Sequence, residues 1–177
     1  YICMKKAVIL MKGKKYNLVK RNIAISMLLG MFLNNLTFTN ELIKVRNGSS
    51  ARVITAPNGT PMIELADPNG NRISVNDFDR LSVDEKNLIL NNISSKEGIG
   101  YRSELGGIIA PNENYTGNPA RAILLRVHKD PSVINGFIEA ASTGKVDMFL
   151  SNPNGIYLNG GLVGRFGNVT FTTGHVS

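Results

Sequence analysis

Asparagine–glycine pairs punctuate the sequence and restrict it to folds made of short segments joined by tight turns. The pair occurs six times, at residues 47–48, 58–59, 69–70, 135–136, 154–155 and 159–160. Proline precedes three of these pairs, which gives Pro-Asn-Gly at 57–59, 68–70 and 153–155. Asparagine and glycine tolerate positive φ, and proline fixes φ at the first position of a turn. The pattern predicts frequent chain reversal and shows no long amphipathic helix after residue 40.

Short β-prone segments lie between these turns. They read ARVIT, PMIEL, NRISV, NLILNN, ARAILLRV, GFIEA, VDMFL, GIYLN and NVTFTT. Alternation in the last segment places Val169 and Phe171 on one face and the threonines on the other. Residues 82–92 and 128–137 could each contain a short helical turn. The pattern predicts an all-β fold and leaves a sandwich, a barrel and a parallel β-helix open, and the abundance of asparagine and glycine slightly favours the β-helix.

The first 39 residues have the layout of a secretory signal peptide. A basic region, Lys12–Arg21, precedes the uncharged apolar run Ile23–Leu33. This run is shorter than the roughly 20 apolar residues that span a bilayer. A buried core helix would leave the basic residues upstream of it unexplained. We therefore expect a helical leader over residues 1–39, with no readable cleavage site, and an exported domain over residues 40–177.

The charge distribution argues against a nucleic-acid partner. The net charge is +7, but residues 1–39 carry seven of the 20 basic residues and no acidic one, so the remainder has 13 of each sign. A nucleic-acid surface needs its positive charge on the folded domain. The one cysteine, Cys3, also lies before the apolar run, so a processed product would contain no disulfide.

Residues suited to metal binding or catalysis lack partners in the sequence. His128 and His175 are not accompanied by cysteine or histidine at zinc-ligand spacing. Asp77 and Asp79 lie in a segment without the glycine and the closing glutamate of a calcium-binding EF-hand loop. The sequence has no Gly-x-Ser-x-Gly elbow, and its acidic residues are scattered. We therefore expect no enzyme activity, no cofactor and no metal site.

The segment SNPNGIYLNGG, residues 151–161, predicts one strand bounded by two enforced corners. Pro153 fixes φ, Asn154 can bond its own backbone or enter the left-handed region, and Gly155 lets the chain leave the turn. We expect Ile156 and Leu158 to point inward, as Val169 and Phe171 do, with Tyr157 outward. Replacing Asn154 by valine is then expected to strain the turn.

Four ordered segments resemble the N-terminal secretion domain of filamentous haemagglutinin-like exoproteins of bacterial two-partner secretion. They are residues 56–92, which close on LILNN, and residues 105–127, 135–161 and 169–174. The third segment contains the family motif NPNGI intact. The family's first motif, usually NPNL, corresponds to NENY at residues 112–115, where glutamate replaces proline. We expect this first motif to form a looser turn than the second.

The resemblance implies a right-handed parallel β-helix with an N-terminal cap and some flanking antiparallel strands. It implies a two-partner secretion domain over residues 40–177 that is incomplete at its C-terminus. It also implies that two motifs support folding or recognition by a transporter. Their residues are Asn112, Asn114, Tyr115, Asn152, Pro153, Asn154, Gly155 and Ile156.

The function that the resemblance implies is secretion. A leader would engage the export machinery, and the periplasmic recognition domains of a partner outer-membrane β-barrel transporter would then bind the chain. The protein would reach the surface or surroundings of a Gram-negative bacterium through the periplasm, and a downstream adhesin, haemolysin or growth inhibitor would bind host or neighbouring cells. The alternative is a stand-alone surface protein that binds carbohydrate or cleaves polysaccharide on a β-helix.

Overall fold

The computed structural model describes residues 41–176, so the predicted leader lies outside the described residues. Within this range the chain is built of short strands and one 3-10 helix, Ser95–Glu97. The strands are β1 (Ile43–Val45), β2 (Arg52–Thr55), β3 (Pro61–Glu64), β4 (Ile73–Leu81), β5 (Leu88–Asn91), β6 (Tyr101–Ser103), β7 (Gly107–Ile109), β8 (Ala122–Val127), β9 (Ser132–Ile134), β10 (Ile138–Ala141), β11 (Val146–Ser151), β12 (Ile156–Leu158), β13 (Leu162–Gly164) and β14 (Phe166–Thr172). The all-β prediction is confirmed.

Most strands stack in parallel as successive coils of a β-helix. β4, β8, β11 and β14 pair in parallel to form one sheet, and β3, β5, β10 and β13 form a second. β9 and β12 form the third, which the isolated bridge between Val83 and Ile134 extends. We name the coils by their strands: the first contains β3 and β4, the second β5, β8 and β9, the third β10, β11 and β12, and the fourth β13 and β14.

Antiparallel strands cover the edges of the first coil. β1 pairs with β4 through a bulge between Lys44 and Val45, and β2 pairs with β3. A third antiparallel pair, β6 with β7, lies in residues 92–121, which leave the second coil after β5 and rejoin it at β8. We call residues 92–121 the insertion. Antiparallel strands were expected at the cap and along the flank, and the structure has them in both places.

Apolar side chains fill the coil interior and also the contact between the insertion and the second sheet. The interior cluster includes Phe78, Ile123 and Leu150. A smaller cluster, formed by Ile89, Ile109 and their neighbours, lies under the insertion. The insertion therefore covers the outer face of the second sheet and does not hang free in solvent.

The predicted facing of the last strands is largely confirmed. Val169 and Phe171 pair with the buried Met148 and Leu150 and pack against the interior cluster, as does Ile156. Leu158 pairs with the buried Ile134 but is 49% exposed. Its side chain lines an open cavity of about 300 Å³ at the fourth coil, because no further strand among the described residues stacks above it.

The predicted helical turns are wrong. Residues 82–92 contain β5, and residues 128–137 contain β9. Residues 88–90 are all buried, because Leu88 and Leu90 face the coil interior and Ile89 lies under the insertion. A strand covered on both faces is continuously apolar and loses the alternation that would identify it. No helix in the described part of the chain is long and apolar enough to cross a membrane.

Candidate functional site

The second motif, residues 152–156, forms a tight corner between β11 and β12, and its first asparagine is fully buried. Asn152 is 0% exposed. Its Nδ2 donates to the Asp130 carbonyl and to Ser132 Oγ, each at 2.9 Å. Its Oδ1 accepts from the Asn154 backbone amide at 2.9 Å, and its own carbonyl accepts from the Gly155 amide at 3.1 Å. One side chain therefore closes the turn and ties it to the second coil.

The first motif, residues 112–115, repeats this geometry within the insertion. Asn112 is 2% exposed, and its Nδ2 donates to the carbonyls of Leu65 at 3.0 Å and Asn91 at 2.9 Å. Its Oδ1 accepts from the Asn114 amide at 2.9 Å, and its carbonyl accepts from the Tyr115 amide at 3.1 Å. In both motifs the first asparagine closes a turn with Oδ1 and fastens that turn to neighbouring chain with Nδ2.

The expectation that the first motif is looser for want of proline is wrong at the level of hydrogen bonding. Glu113, which replaces proline, has a backbone N–H that proline would lack, and this amide donates to the buried Glu64 carboxylate at 3.0 Å. Arg52 donates to both Glu64 and Glu113 at 2.9 Å. These ionic contacts raise the Arg52 pKa. The buried Glu64 carboxylate thus fixes the backbone at Glu113, the position that Pro153 occupies in the second motif.

The third residue of each motif, Asn154 or Asn114, is bonded differently from the first asparagine of that motif. Asn154 is exposed, and its φ is not positive, so valine at this position would not be strained as the sequence suggested. The positive φ falls on Gly155, at +112°, where a β-branched residue is disfavoured. Asn154 Nδ2 reaches Asn152 Oδ1 at 3.2 Å. In the first motif, Asn114 Nδ2 instead donates to three carbonyls, those of Ser50, Glu64 and Leu65.

Tyr115 ends the first motif inside the core, whereas Ile156 ends the second motif only partly buried. The Tyr115 hydroxyl donates to Asn92 Oδ1 at 2.8 Å, and burial raises the pKa of its phenol above the usual range. Asn92 Nδ2 in turn donates to the Ala120 carbonyl and to Ser142 Oγ. Both motifs bond the second coil, the first at Asn91 and the second at Ser132, and no hydrogen bond joins the two motifs within residues 41–176.

Three buried polar residues that hold the first motif or the turn between β6 and β7 were missed by the sequence reasoning. Glu64 and Asn92 hold the first motif, and Glu139 holds the turn between β6 and β7. Glu139 accepts from Ser103 Oγ at 2.6 Å and from the amides of Glu104 and Leu105 at 2.9 Å. The available signal was a lone glutamate inside an apolar strand, PMIEL and GFIEA, because a charge in such a place needs several donors.

The acidic residues considered for calcium are paired with cations. Asp77 accepts from Arg126 at 2.8 and 2.9 Å and lies 2.7 Å from the His128 ring. Burial opposes ionisation of Asp77, but these hydrogen bonds outweigh it, and the pKa is lowered. Asp79 bonds Lys129 and Arg46, and its pKa is also lowered. Residues 41–176 contain no cluster of three or more histidine, cysteine, aspartate or glutamate side chains suited to a metal.

The cavity at the fourth coil offers no polysaccharide-cleaving chemistry. Its lining consists of apolar side chains and two glycines, with no acidic pair. The lining residues are Ile134, Leu158, Gly160, Gly161, Leu162 and Phe171. General acid–base cleavage of a glycosidic bond needs two carboxyl groups that flank it.

Comparison with known proteins agrees with this architecture. Residues 40–177 match the family model described as "TPS secretion domain". The chain resembles the crystal structure of the filamentous hemagglutinin secretion domain, a β-helix, with a TM-score of 0.64 and 31% identity over 76% of this chain and 43% of that one. It is 35% identical to the filamentous hemagglutinin of Bordetella pertussis over 127 residues, which are 71% of this chain and 3% of that protein.

A relative that is named as a nuclease matches a similar share of this chain. The "tRNA nuclease CdiA" of Yersinia mollaretii is 35% identical over 133 residues, which are 75% of this chain and 4% of that protein. The chain therefore spans only a few per cent of the curated relatives that it matches. The match covers a secretion module and carries no nuclease activity to this chain. The chain belongs to the family of TPS secretion domains, and residues 40–177 form the secretion module of an exported protein.

Proposed function

We propose that a partner outer-membrane β-barrel transporter recognises this module and binds it through its periplasmic recognition domains. A leader over residues 1–39 brings the chain to the periplasm, and the module then leads a longer passenger out of a Gram-negative cell. The family match over residues 40–177 is the observation that carries this proposal. The passenger is an adhesin, a haemolysin or a growth inhibitor that acts on host or neighbouring cells.

Burial of the first asparagine in each motif determines in which state of the chain a transporter can contact it. Asn112 and Asn152 are 2% and 0% exposed, so a partner cannot touch their side chains in the folded domain. Any direct recognition of these two residues therefore takes place on an unfolded chain. In an extended chain the backbone groups are unpaired and can add as a strand to a sheet edge of the transporter.

Folding after passage gives the same residues their second role. Once Asn152 closes its corner and bonds Ser132, β12 pairs with β9. The third coil is then ordered and the fourth can stack on it. Each new coil buries the apolar surface of the coil below it, so a right-handed β-helix can grow from this end. The motifs thus act as corners that fix the first coils outside the cell.

A secretion assay with matched variants tests the proposal. The full-length protein is expressed with and without its cognate transporter, and exported protein is measured by immunoblot. We expect export to require the transporter. Asn152→Ala should lower export, whereas Pro153→Ala, at an exposed position of the same corner, should lower it less. Equal export without the transporter would overturn the proposal.

A further inference from the structure

Asparagine–glycine pairs carry an intrinsic chemical liability that the fold treats unequally. The glycine amide nitrogen can attack the asparagine Cγ, forming a C–N bond and releasing ammonia, and the resulting succinimide is opened by water. The products are aspartate or isoaspartate, each with a new negative charge. Asparagine is among the thermolabile residues, and glycine adds no Cβ to hinder the attack. The reaction needs a free glycine amide and a mobile asparagine side chain.

The fold occupies the attacking nitrogen in four of the six pairs. Each glycine amide donates to a backbone carbonyl, and breaking that bond requires local opening of the corner. The bonds are Gly59 to Ala56 at 2.9 Å, Gly136 to Val83 at 3.3 Å, Gly155 to Asn152 at 3.1 Å and Gly160 to Ile134 at 2.8 Å.

Side-chain bonds restrain several of the asparagines as well. Asn58 Nδ2 donates to the Leu105 carbonyl at 2.7 Å, and Asn159 Nδ2 donates to Asn135 Oδ1 at 3.0 Å. In the pair Asn69–Gly70 the glycine amide makes no hydrogen bond within residues 41–176, but Asn69 Oδ1 accepts from two amides, those of Asn71 and Ile73, each at 3.0 Å. This carbonyl group is held in a turn and cannot rotate freely towards Gly70.

The first pair has neither restraint. Asn47 and Gly48 lie in the exposed turn between β1 and β2. Within the described part of the chain, neither the Asn47 side chain nor the Gly48 amide makes a hydrogen bond. Gly48 has φ +91°, and the space where a Cβ would lie is open to 4 Å.

We propose that Asn47 is a site of spontaneous deamidation in the folded domain and that folding protects the other five asparagines of these pairs. In the unfolded chain all six react. Isoaspartate at residues 58, 69, 135, 154 or 159 then records time spent unfolded. If the transporter takes an unfolded chain, which rests on the proposed function, this damage accumulates when secretion is delayed.

Peptide mass spectrometry tests the proposal without any transporter. The intact chain is incubated at mildly alkaline pH, folded in buffer or unfolded in urea, and deamidation at each asparagine is followed with time. We expect Asn47 to react at a similar rate in both samples. The asparagines at 58, 69, 135, 154 and 159 should react roughly ten-fold or more slowly when folded, because each turn must open first.

Two variants sharpen the test. Asn47→Gln should abolish the fast reaction in the folded sample and leave the other rates unchanged. Asn152→Ala loosens only the corner around Asn154, so deamidation at Asn154 should rise while that at Asn58 stays slow. If Asn152→Ala unfolds the domain, both sites should reach the rate seen in urea. Slow reaction at Asn47 in the folded chain, or corner asparagines that react equally fast in both samples, would overturn the proposal.

Discussion

Replacing Asn152 by alanine should destabilise the domain far more than any other change in the second motif. The side chain is 0% exposed and bonds three groups, the Asp130 carbonyl, Ser132 Oγ and the Asn154 amide. Alanine leaves Ser132 Oγ buried without its donor and removes the donor to the Asp130 carbonyl and the acceptor for the Asn154 amide. It also leaves a small cavity at the corner.

The magnitude follows from those three bonds. A neutral hydrogen bond contributes about 1 kcal/mol net, and a buried group left unpaired costs about 1–3 kcal/mol. Solvent can reach the Asn154 amide, since that residue is exposed, so the full penalty applies mainly at Ser132. The sum is about 2–4 kcal/mol, a large part of the roughly 5–15 kcal/mol that stabilises a typical domain.

Urea unfolding, followed by circular dichroism, measures the loss. With a slope of about 2 kcal/mol per M, a loss of 3 kcal/mol lowers the midpoint by about 1.5 M. Asn154→Ala is the matched control, because it is two residues away, exposed, and loses only the 3.2 Å contact to Asn152. Its effect should stay within about 0.5 kcal/mol.

Asn112→Ala extends the comparison to the first motif. Its side chain makes three bonds of 2.9–3.0 Å to buried or turn groups, so the expected loss is again about 2–4 kcal/mol. Unfolding of Asn152→Ala at the wild-type midpoint, or an equal loss of stability in the exposed Asn154→Ala, would contradict the role assigned to Asn152. Export that falls further than the loss of stability for these variants would indicate direct contact with the transporter.

Three further predictions concern the rest of the described structure. Gly160→Ala should prevent folding, because its Cβ would lie 1.8 Å from a carbonyl oxygen of the coil below, whereas Gly144→Ala, with open space around it, should melt like wild type. Glu139→Gln should free the β6–β7 hairpin, since a neutral amide cannot accept its three bonds as strongly, and limited trypsin digestion should cut there sooner. The lowered pKa of Asp77 means that the folded state favours its charged form, so this stabilisation is present above the ordinary value of 3.8 and is lost as pH falls through the folded value. Thermal melts from about pH 5 to pH 2 should show this loss, and Asp77→Asn should flatten it.

The sequence was sufficient for the fold class because its turn residues have a local mechanism. All six asparagine–glycine pairs lie in turns or corners, and in five of them the glycine is needed for one of two reasons. Gly48, Gly59 and Gly155 adopt positive φ, which is the property the sequence suggested. Gly136 and Gly160 do not, and they are required because a carbonyl of the neighbouring coil passes within 2 Å of the position a Cβ would take. Close approach between coils leaves no mark on the local sequence.

The insertion and its anchors were not predictable for a related reason. β6 and β7 are three residues each, too short for alternation to show. Glu64 and Glu139 look like interruptions of apolar strands until the donors that face them are placed by the fold. The motif asparagines could be identified by resemblance. Which asparagine in each motif is essential depended on burial, and the sequence favoured Asn154 where the structure points to Asn152.

The anchoring of the insertion on buried carboxylates has a consequence for how the domain unfolds. Stacked repeats usually unfold unit by unit, because each contacts only its neighbours. Here the insertion leaves the second coil yet is bonded to Glu64 in the first coil and to Glu139 in the third. The three coils are thereby cross-linked without a disulfide and should melt as one cooperative block. The fourth coil lies outside this link, so its amides should exchange with solvent first, and the boundary between slow and fast exchange should fall at Gly161.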